Sequence, residues 1–506
     1  MKMISIKKSV LFATVGLSLS LGFTACNKRF EEINKDPNTS TKTSTSYLLT
    51  NAQKTMMDLT WDEWFNGRSG NQLSQYWASN QYSNESRYQF RLEITNSYWR
   101  DFYAVSLADL QEIIRLNEGA TKADYVGYGK NENQIAIAKV LQAWLYQNMT
   151  DCWGPIPFSQ ALRGSEFPSP AYDTQEEVYV GLLAMLNEAI ALIDESDNSV
   201  QGDVIYEGDM SKWKKFANSL KMRVALRMSD TNRASEAQTA FVEASTGGFT
   251  SNADNALFRY LGALPNINPL AEDFITRNDF AASNIMVDKL NALADPRIGV
   301  FFAPALNSGN FVGEVYGLTE ADAALTPNDD VSQRGAAVLA NDAPGIYLDY
   351  AQVEFMLAEA AARGWSVSGS AADHYNAGIS ASMDYWNDGS YDATDISDYI
   401  ASATVDYATL IGNGETWKQV IGRQKWIALY MQGIQGWAEW RRLDFGILQL
   451  PAGGTLDGSG IPNRMSYPLD EQTLNADSYS AGVTKLGGSD NQDSKLWWDV
   501  NYFNIE

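Results

Sequence analysis

Ile137-Ala138-Lys139-Val140-Leu141-Gln142-Ala143-Trp144-Leu145 places apolar residues at 137, 140, 141, 144 and 145. That is the i, i+3, i+4, i+7, i+8 spacing of one helix face. Shortly afterwards Asp151-Cys152-Trp153-Gly154-Pro155-Ile156-Pro157 interrupts the pattern, because proline fixes φ, lacks a donor and cannot continue a helix. The same periodicity returns at Val178, Leu182, Met185, Leu186, Ala189 and Ile193, and at Val353, Met356, Leu357 and Ala360, with Glu354 and Glu359 on the outer face. A last stripe runs from Trp417 through Val420, Ile421 and Ile427 to Met431. Alternating strand patterns are brief. Helices are predicted in neighbouring pairs: 98–118 with 133–149, 174–195 with 209–229, and 348–363 with 371–386. Small residues at contact positions (Ala358, Ala361, Ala362, Ala377, Ala381) make these look like tetratricopeptide-type helix–turn–helix units. Their spacing is too irregular for a uniform solenoid. Between them, 231–345 and 446–506 are rich in Gly, Asn, Asp and Pro and read as long irregular loops. The expectation is a mostly α-helical single domain over 46–506, with tetratricopeptide-like pairs as scaffold.

The amino terminus carries a different signal. Met1 to Lys8 holds three lysines and no acid, Val10 to Phe23 is an apolar run, and Thr24-Ala25 lead into Cys26. That order is a secretory signal peptide over 1–25, too short to span a bilayer as a helix. Cys26 resembles the lipidated cysteine of bacterial lipoproteins, with Phe23 where Leu is usual. Residues 26–45, with the turn signal Asp36-Pro37-Asn38, read as a tether from lipid to folded body. If Cys26 is lipidated, Cys152 has no disulfide partner and reads as a buried structural thiol.

Charge narrows the partners. Lys and Arg number 38 against 62 Asp and Glu, a net charge of −24. Such a chain repels phosphate backbones, so nucleic acid is excluded as a partner. Anionic lipid headgroups add nothing either, and anchoring rests on acyl chains, at about 0.8 kcal/mol per buried CH₂.

Catalytic patterns are missing. The single histidine, His374, sits in a helical pattern and reads as packed rather than catalytic. No zinc spacing, G-x-S-x-G elbow or glycine-rich phosphate loop is present, so no enzyme and no cofactor are predicted. Asp388, Asp392, Asp395 and Asp398 form an acidic loop that could hold a structural Ca²⁺ through oxygen ligands, although it lacks EF-hand spacing. A solvated loop is the favoured reading.

What remains is binding. The chain has 15 Trp, 25 Tyr and 20 Phe, and flat amphipathic rings suit the C–H faces of sugars. Trp61 to Arg91 concentrates such rings beside amide and guanidinium donors: Trp61, Trp64, Arg68, Asn71, Gln72, Trp77, Asn80, Tyr82, Arg87 and Tyr88. The alternative is that several of these rings are helix core. Two further loops add polar donors, 266–284 (Asn266, Asn268, Arg277, Asn278) and 330–347 (Asp330, Gln333, Arg334).

These features align in order with a known family. Cys26, Phe30, Ile33-Asn34 and Asp36-Pro37-Asn38 resemble the start of SusD/RagB-type nutrient-binding outer-membrane lipoproteins. Asp151 to Ser159 with Ala161-Leu162 is similar to that family's turn after its first helix pair. Asp203, Tyr206, Gly208-Asp209, Trp213, Lys215 to Leu220 and Arg223 follow. Asp295-Pro296-Arg297, His374 to Ile379, Arg464, Tyr467-Pro468, Glu471 and Asn475 complete the series. The resemblance implies a surface-exposed, lipid-anchored binding protein that captures a nutrient, commonly an oligosaccharide. It further implies delivery to a TonB-dependent β-barrel transporter of the SusC kind in the outer membrane. Peptide binding within the same family, or a purely structural or adhesive helical-repeat lipoprotein, are the alternatives.

Overall fold

Four capped helices show how local sequence sets the scaffold of this computed structural model, which describes residues 43–500. The cleavage region, Cys26 and the tether as far as residue 42 lie outside the described residues. The main helices are α1 (Thr45–Thr60), α2 (Ala108–Glu118), α3 (Asn131–Trp153), α4 (Gln175–Leu192), α5 (Met210–Arg227), α6 (Ala234–Ser245), α7 (Tyr350–Ala362), α8 (Ala371–Trp386), α9 (Trp417–Ala428) and α10 (Gly433–Leu443). Thr174 with Glu177, Ser370 with Asp373 and Thr416 with Gln419 form reciprocal capping boxes at the starts of α4, α8 and α9. Asp209 opens α5 by accepting from Ser211 N and Lys212 N. Each cap satisfies amides that the first helical turn leaves unpaired.

The three predicted pairs pack together, α2 on α3, α4 on α5, and α7 on α8, and α3 also packs on α4 and α5 on α6. α9 then closes against both α7 and α10. The molecule is mostly helical, and the described residues from Thr45 onward form one compact unit. At its centre lies α3, buried on nearly every side, so Gln134, Gln142, Gln147 and Asp151 are interior along with the apolar stripe. Its burial explains why helical order extends to Trp153, past the amphipathic stretch that ends at 149. Gly154, at φ 89°, then turns the chain where a side chain would be strained.

Two predictions need correction. The helix expected over 98–118 is three pieces, Leu92–Asp101, a π-helical stretch Phe102–Leu107, and α2. The stretches expected to be irregular also contain helices: besides α6, Pro269–Phe274 and Asn284–Leu293 in the first, Leu469–Leu474 and Ala476–Lys485 in the second. Two of these helices are signalled by caps, with Asn268 accepting from Leu270 N and Ala271 N ahead of Pro269, and Ser283 accepting from Ile285 N.

Strands are short and paired in twos, all antiparallel: β1 (Trp77–Ser79) with β5 (Phe280–Ala282), β2 (Ile156–Pro157) with β3 (Tyr172–Asp173), β4 (Ala256–Phe258) with β8 (Gly345–Leu348), and β6 (Phe302–Ala303) with β7 (Gln333–Arg334). They hold the loops to the helical body.

The motif residues turn out to be buried polar fasteners. Asp203 accepts from Gln53 Nε2 (2.9 Å), Trp213 Nε1 (2.7 Å) and Gly208 N (2.9 Å). Asp295 pairs with Arg297, which also donates to Ser382 Oγ and Gln424 Oε1. Asp151 receives Trp498 Nε1 at 2.9 Å and the Tyr179 hydroxyl. Cys152 is fully buried, and burial pushes its thiol up. His374 bridges α7 and α8, with Nδ1 2.6 Å from Glu354 Oε2 and Nε2 2.5 Å from Ser368 O.

Candidate functional site

The π-helical turn Glu63–Asn71 carries the first part of the site. Asp62 caps it, accepting from Phe65 N at 2.7 Å, and Trp64 and Arg68 project one turn apart. The β1–β5 pairing then draws two distant loops together, matching Trp77 with Ala282 and Ser79 with Phe280. Asn80 N continues the ladder onto Asp279 O at 3.0 Å. Residues 80–91 therefore face residues 277–279. The third loop joins through Arg334, which donates to Phe280 O and, at 2.7 Å, to Asn278 Oδ1. All three stretches singled out from sequence converge here.

They form alternating guanidinium and aromatic groups, with Tyr82 and Arg277 exposed, Arg91 partly exposed, and Arg68 buried between the two rings. The Arg91 guanidinium carbon lies 5.1 Å from the Trp64 ring centre, and that of Arg68 lies 4.8 Å from the same ring. Arg68 is also 5.7 Å from the Tyr82 ring, and Arg277 is 5.6 Å from Tyr82. The order is Arg91, Trp64, Arg68, Tyr82, Arg277. Such contacts gain strength with partial desolvation. Tyr82 is 49% exposed and sits at φ 53°, a left-handed backbone unusual for a bulky residue. Backbone outliers of this kind gather at ligand sites.

Three carboxylates hold the arginines. Arg68 Nη2 reaches Glu63 Oε1 at 2.7 Å and Asp279 Oδ2 at 2.6 Å. Arg277 Nη2 shares Asp279 at 2.7 Å, and Arg91 Nε stands 2.8 Å from Glu85 Oε1. Burial raises the carboxyl of Glu85 above its ordinary range. Burial likewise pushes Asp62 up to about 7, and burial with the neighbouring Glu63 charge pushes Asp273 up to about 6.

The structure therefore unites Trp64, Arg68, Tyr82 and Arg277 and places the other residues elsewhere. Trp61 is buried beside Trp144 and Tyr347. Asn71, Trp77 and Tyr88 have no exposed surface; Trp77 donates to Tyr430 Oη and packs on Phe274 and Phe280. Arg87 ties down another loop by donating to Gly453 O and Gly454 O. Arg334 is buried, and Asn278 accepts from it beneath the surface row. Glu63, Glu85 and Asp279 are absent from the predicted residues, because a carboxylate that positions an arginine from a distant loop leaves no local signal, and Arg91 closes the predicted stretch without being singled out.

The acidic loop is held by local hydrogen bonds. Asp392 and Asp395 form a capping box, and Asp388 accepts from Ser390 N. Among the described residues no group of three His, Cys, Asp or Glu side chains is placed to hold a metal. Larger hollows lie away from the predicted residues: a groove of about 670 Å³ along α4 and α6, and an apolar hollow of about 350 Å³ beside Trp99, Tyr103 and Leu474.

Comparison with known proteins places the chain. A chitin-binding protein has 27% identity and a TM-score of 0.78, covering 90% of this chain and 100% of its own. A chitin-binding SusD homologue from Flavobacterium johnsoniae has 25% identity and a TM-score of 0.76, covering 90% and 100%. A SusD homologue from Bacteroides uniformis has 26% identity and a TM-score of 0.77 over the same shares, 90% and 100%. No curated protein matches the chain. No helix among the described residues is long and apolar enough to cross a membrane. Residues 37–468 match the SusD-like family model, described as starch-binding and associating with the outer membrane, and the chain belongs to that family.

Proposed function

We propose that this protein captures an oligosaccharide on the Trp64–Tyr82 row and hands it to a TonB-dependent β-barrel transporter while held to the outer membrane by lipid on Cys26. The observation that carries the reading is the convergence of two separate loops on one exposed aromatic and guanidinium surface, with Tyr82 at its rim. Stacking orients a pyranose ring, and the flanking guanidinium and carboxylate groups supply donors and acceptors for its hydroxyls. The family's description and the two chitin-binding neighbours support a glycan ligand. The family is described by binding, in keeping with the sequence reading of a non-enzyme.

The test is calorimetric titration of the mature chain, without Cys26, with chitin and starch oligosaccharides. Binding with micromolar to millimolar Kd is expected, and Tyr82→Ala and Trp64→Ala should each weaken it at least tenfold. Unchanged affinity in both variants would move the site elsewhere on the molecule. Delivery is tested by purifying the full-length lipoprotein from membranes, where a co-purifying β-barrel of the transporter class is expected.

A further inference from the structure

A small cavity of about 20 Å³ opens between Trp64, Arg68, Glu85 and Arg91. That is room for roughly one water-sized group. Arg68 Nη1 and Glu85 Oε2 are buried there without a hydrogen-bond partner. Arg68 Nη1 is 3.9 Å from Glu85 Oε2, too far for a hydrogen bond. Arg91 Nε pairs with Glu85 Oε1 at 2.8 Å, which leaves Oε2 as the unpartnered acceptor. A buried donor and a buried acceptor are thus left facing one small space. Leaving both unpaired is costly, and one hydroxyl, which donates and accepts at once, satisfies both.

Building on the glycan reading above, we infer that this cavity is a hydroxyl-binding subsite and that the row selects neutral sugars over uronate-bearing or sulfated ones. A carboxylate or sulfate could satisfy Arg68, but it would meet the Glu85 carboxylate without a proton to give. The surrounding charge points the same way. The arginines of the row, Arg68, Arg91 and Arg277, are matched by Glu63, Glu85 and Asp279, so no cation is left over for an anionic ligand. Arg334, the next guanidinium inward, is buried and already donates to Phe280 O and Asn278 Oδ1. At longer range the chain carries a net charge of −24 and repels polyanions. Sites that select anions instead present guanidinium groups for charge-assisted pairing with the ligand.

The experiment is affinity electrophoresis of the mature wild-type chain in gels containing chitin oligosaccharide–grafted polymer, starch or galactomannan, and in gels containing polygalacturonate, alginate or dextran sulfate. Each gel is run at low and at moderate salt. Retardation by at least one neutral polymer, changing less than twofold with salt, and none by the anionic polymers is expected. Glu85→Gln, which removes one charge and keeps the shape, should weaken neutral retention severalfold and introduce salt-sensitive retention by anionic polymers. Retention of the wild-type chain by an anionic polymer at low salt would overturn the selection for neutral sugars while leaving the glycan platform in place. Silence toward every polymer would overturn the platform itself, and the subsite with it.

Discussion

Individual residues here do two kinds of work, and their burial separates them. Tyr82 is exposed at a left-handed φ and flanked by Arg68 and Arg277, whereas Trp77, only five residues earlier, is fully enclosed. Trp77→Ala should therefore cost about 3–5 kcal/mol of stability, as expected for emptying a buried aromatic site. Tyr82→Ala should leave the melting temperature nearly unchanged, and calorimetric melting of the two variants checks the contrast. A second residue-scale prediction concerns pH. Asp349 is buried at the start of α7, accepting from Gln352 N at 2.8 Å and Gln432 Nε2 at 2.5 Å, and burial pushes it up to about 6. Glu314, enclosed with no hydrogen-bond partner for either oxygen, is pushed up to about 7. A carboxyl raised in the folded state holds its proton more tightly there than in the unfolded chain. Stability is thus highest below the ordinary carboxylate range of these groups and falls as pH rises through 4 to 7. His374, raised mainly by its bond to Glu354, adds to the same trend, since its contribution is lost as pH climbs past its folded value. Unfolding midpoints should be lower at pH 8 than at pH 5.5. Asp349→Asn should narrow that difference by an amount on the order of 1 kcal/mol.

At the scale of elements, the site depends on how the π-helical turn Glu63–Asn71 is seated. Its Gly70 meets Gly433 at the start of α10, and a Cβ on Gly433 would fall 2.1 Å from Gly70 C. Asn66 Nδ2 donates to Met431 O at 2.9 Å, and the Ser74 hydroxyl donates to Gly433 O, fixing the same contact. Gly433→Ala should cost about 1–3 kcal/mol through overpacking against backbone. Because the turn carries Trp64 and Arg68, it should also weaken glycan binding, which denaturant titration and calorimetry together would show. α5 offers a purely structural control. Asp209→Ala removes its cap and should cost about 1 kcal/mol without changing ligand affinity. The elements readable in sequence were those with a strong stripe or a strong cap, such as α4, α5, α7, α8 and α9. The π-helical turns at 63–71 and 102–107 were not readable, because their widened geometry is fixed by packing and leaves no period in the sequence.

For the whole molecule, the fold is a helical scaffold whose loops are stapled by paired short strands, and the site exists only where those loops meet. Replacing Cys26 with Ser should release the protein from the membrane fraction into the soluble fraction, with glycan binding unchanged. Fractionation followed by titration checks this, and retention of the variant in membranes would refute lipid anchoring through Cys26. Residue spacing alone determined that the chain is mostly helical, because amphipathic periodicity and capping are local properties encoded within a turn or two. The ordered motifs, Asp203 to Arg223 among them, resemble the SusD-like family, and the structure shows Asp203 at work as a buried polar fastener. Only the tertiary structure decided which rings face solvent. Trp64, Trp77 and Tyr88 share one composition-rich stretch, yet the β1–β5 pairing and the arginine row leave one partly exposed and two enclosed. Exposure depends on contacts some 200 residues away in sequence, such as Arg68 with Asp279 at |i−j| = 211, and no local pattern records them.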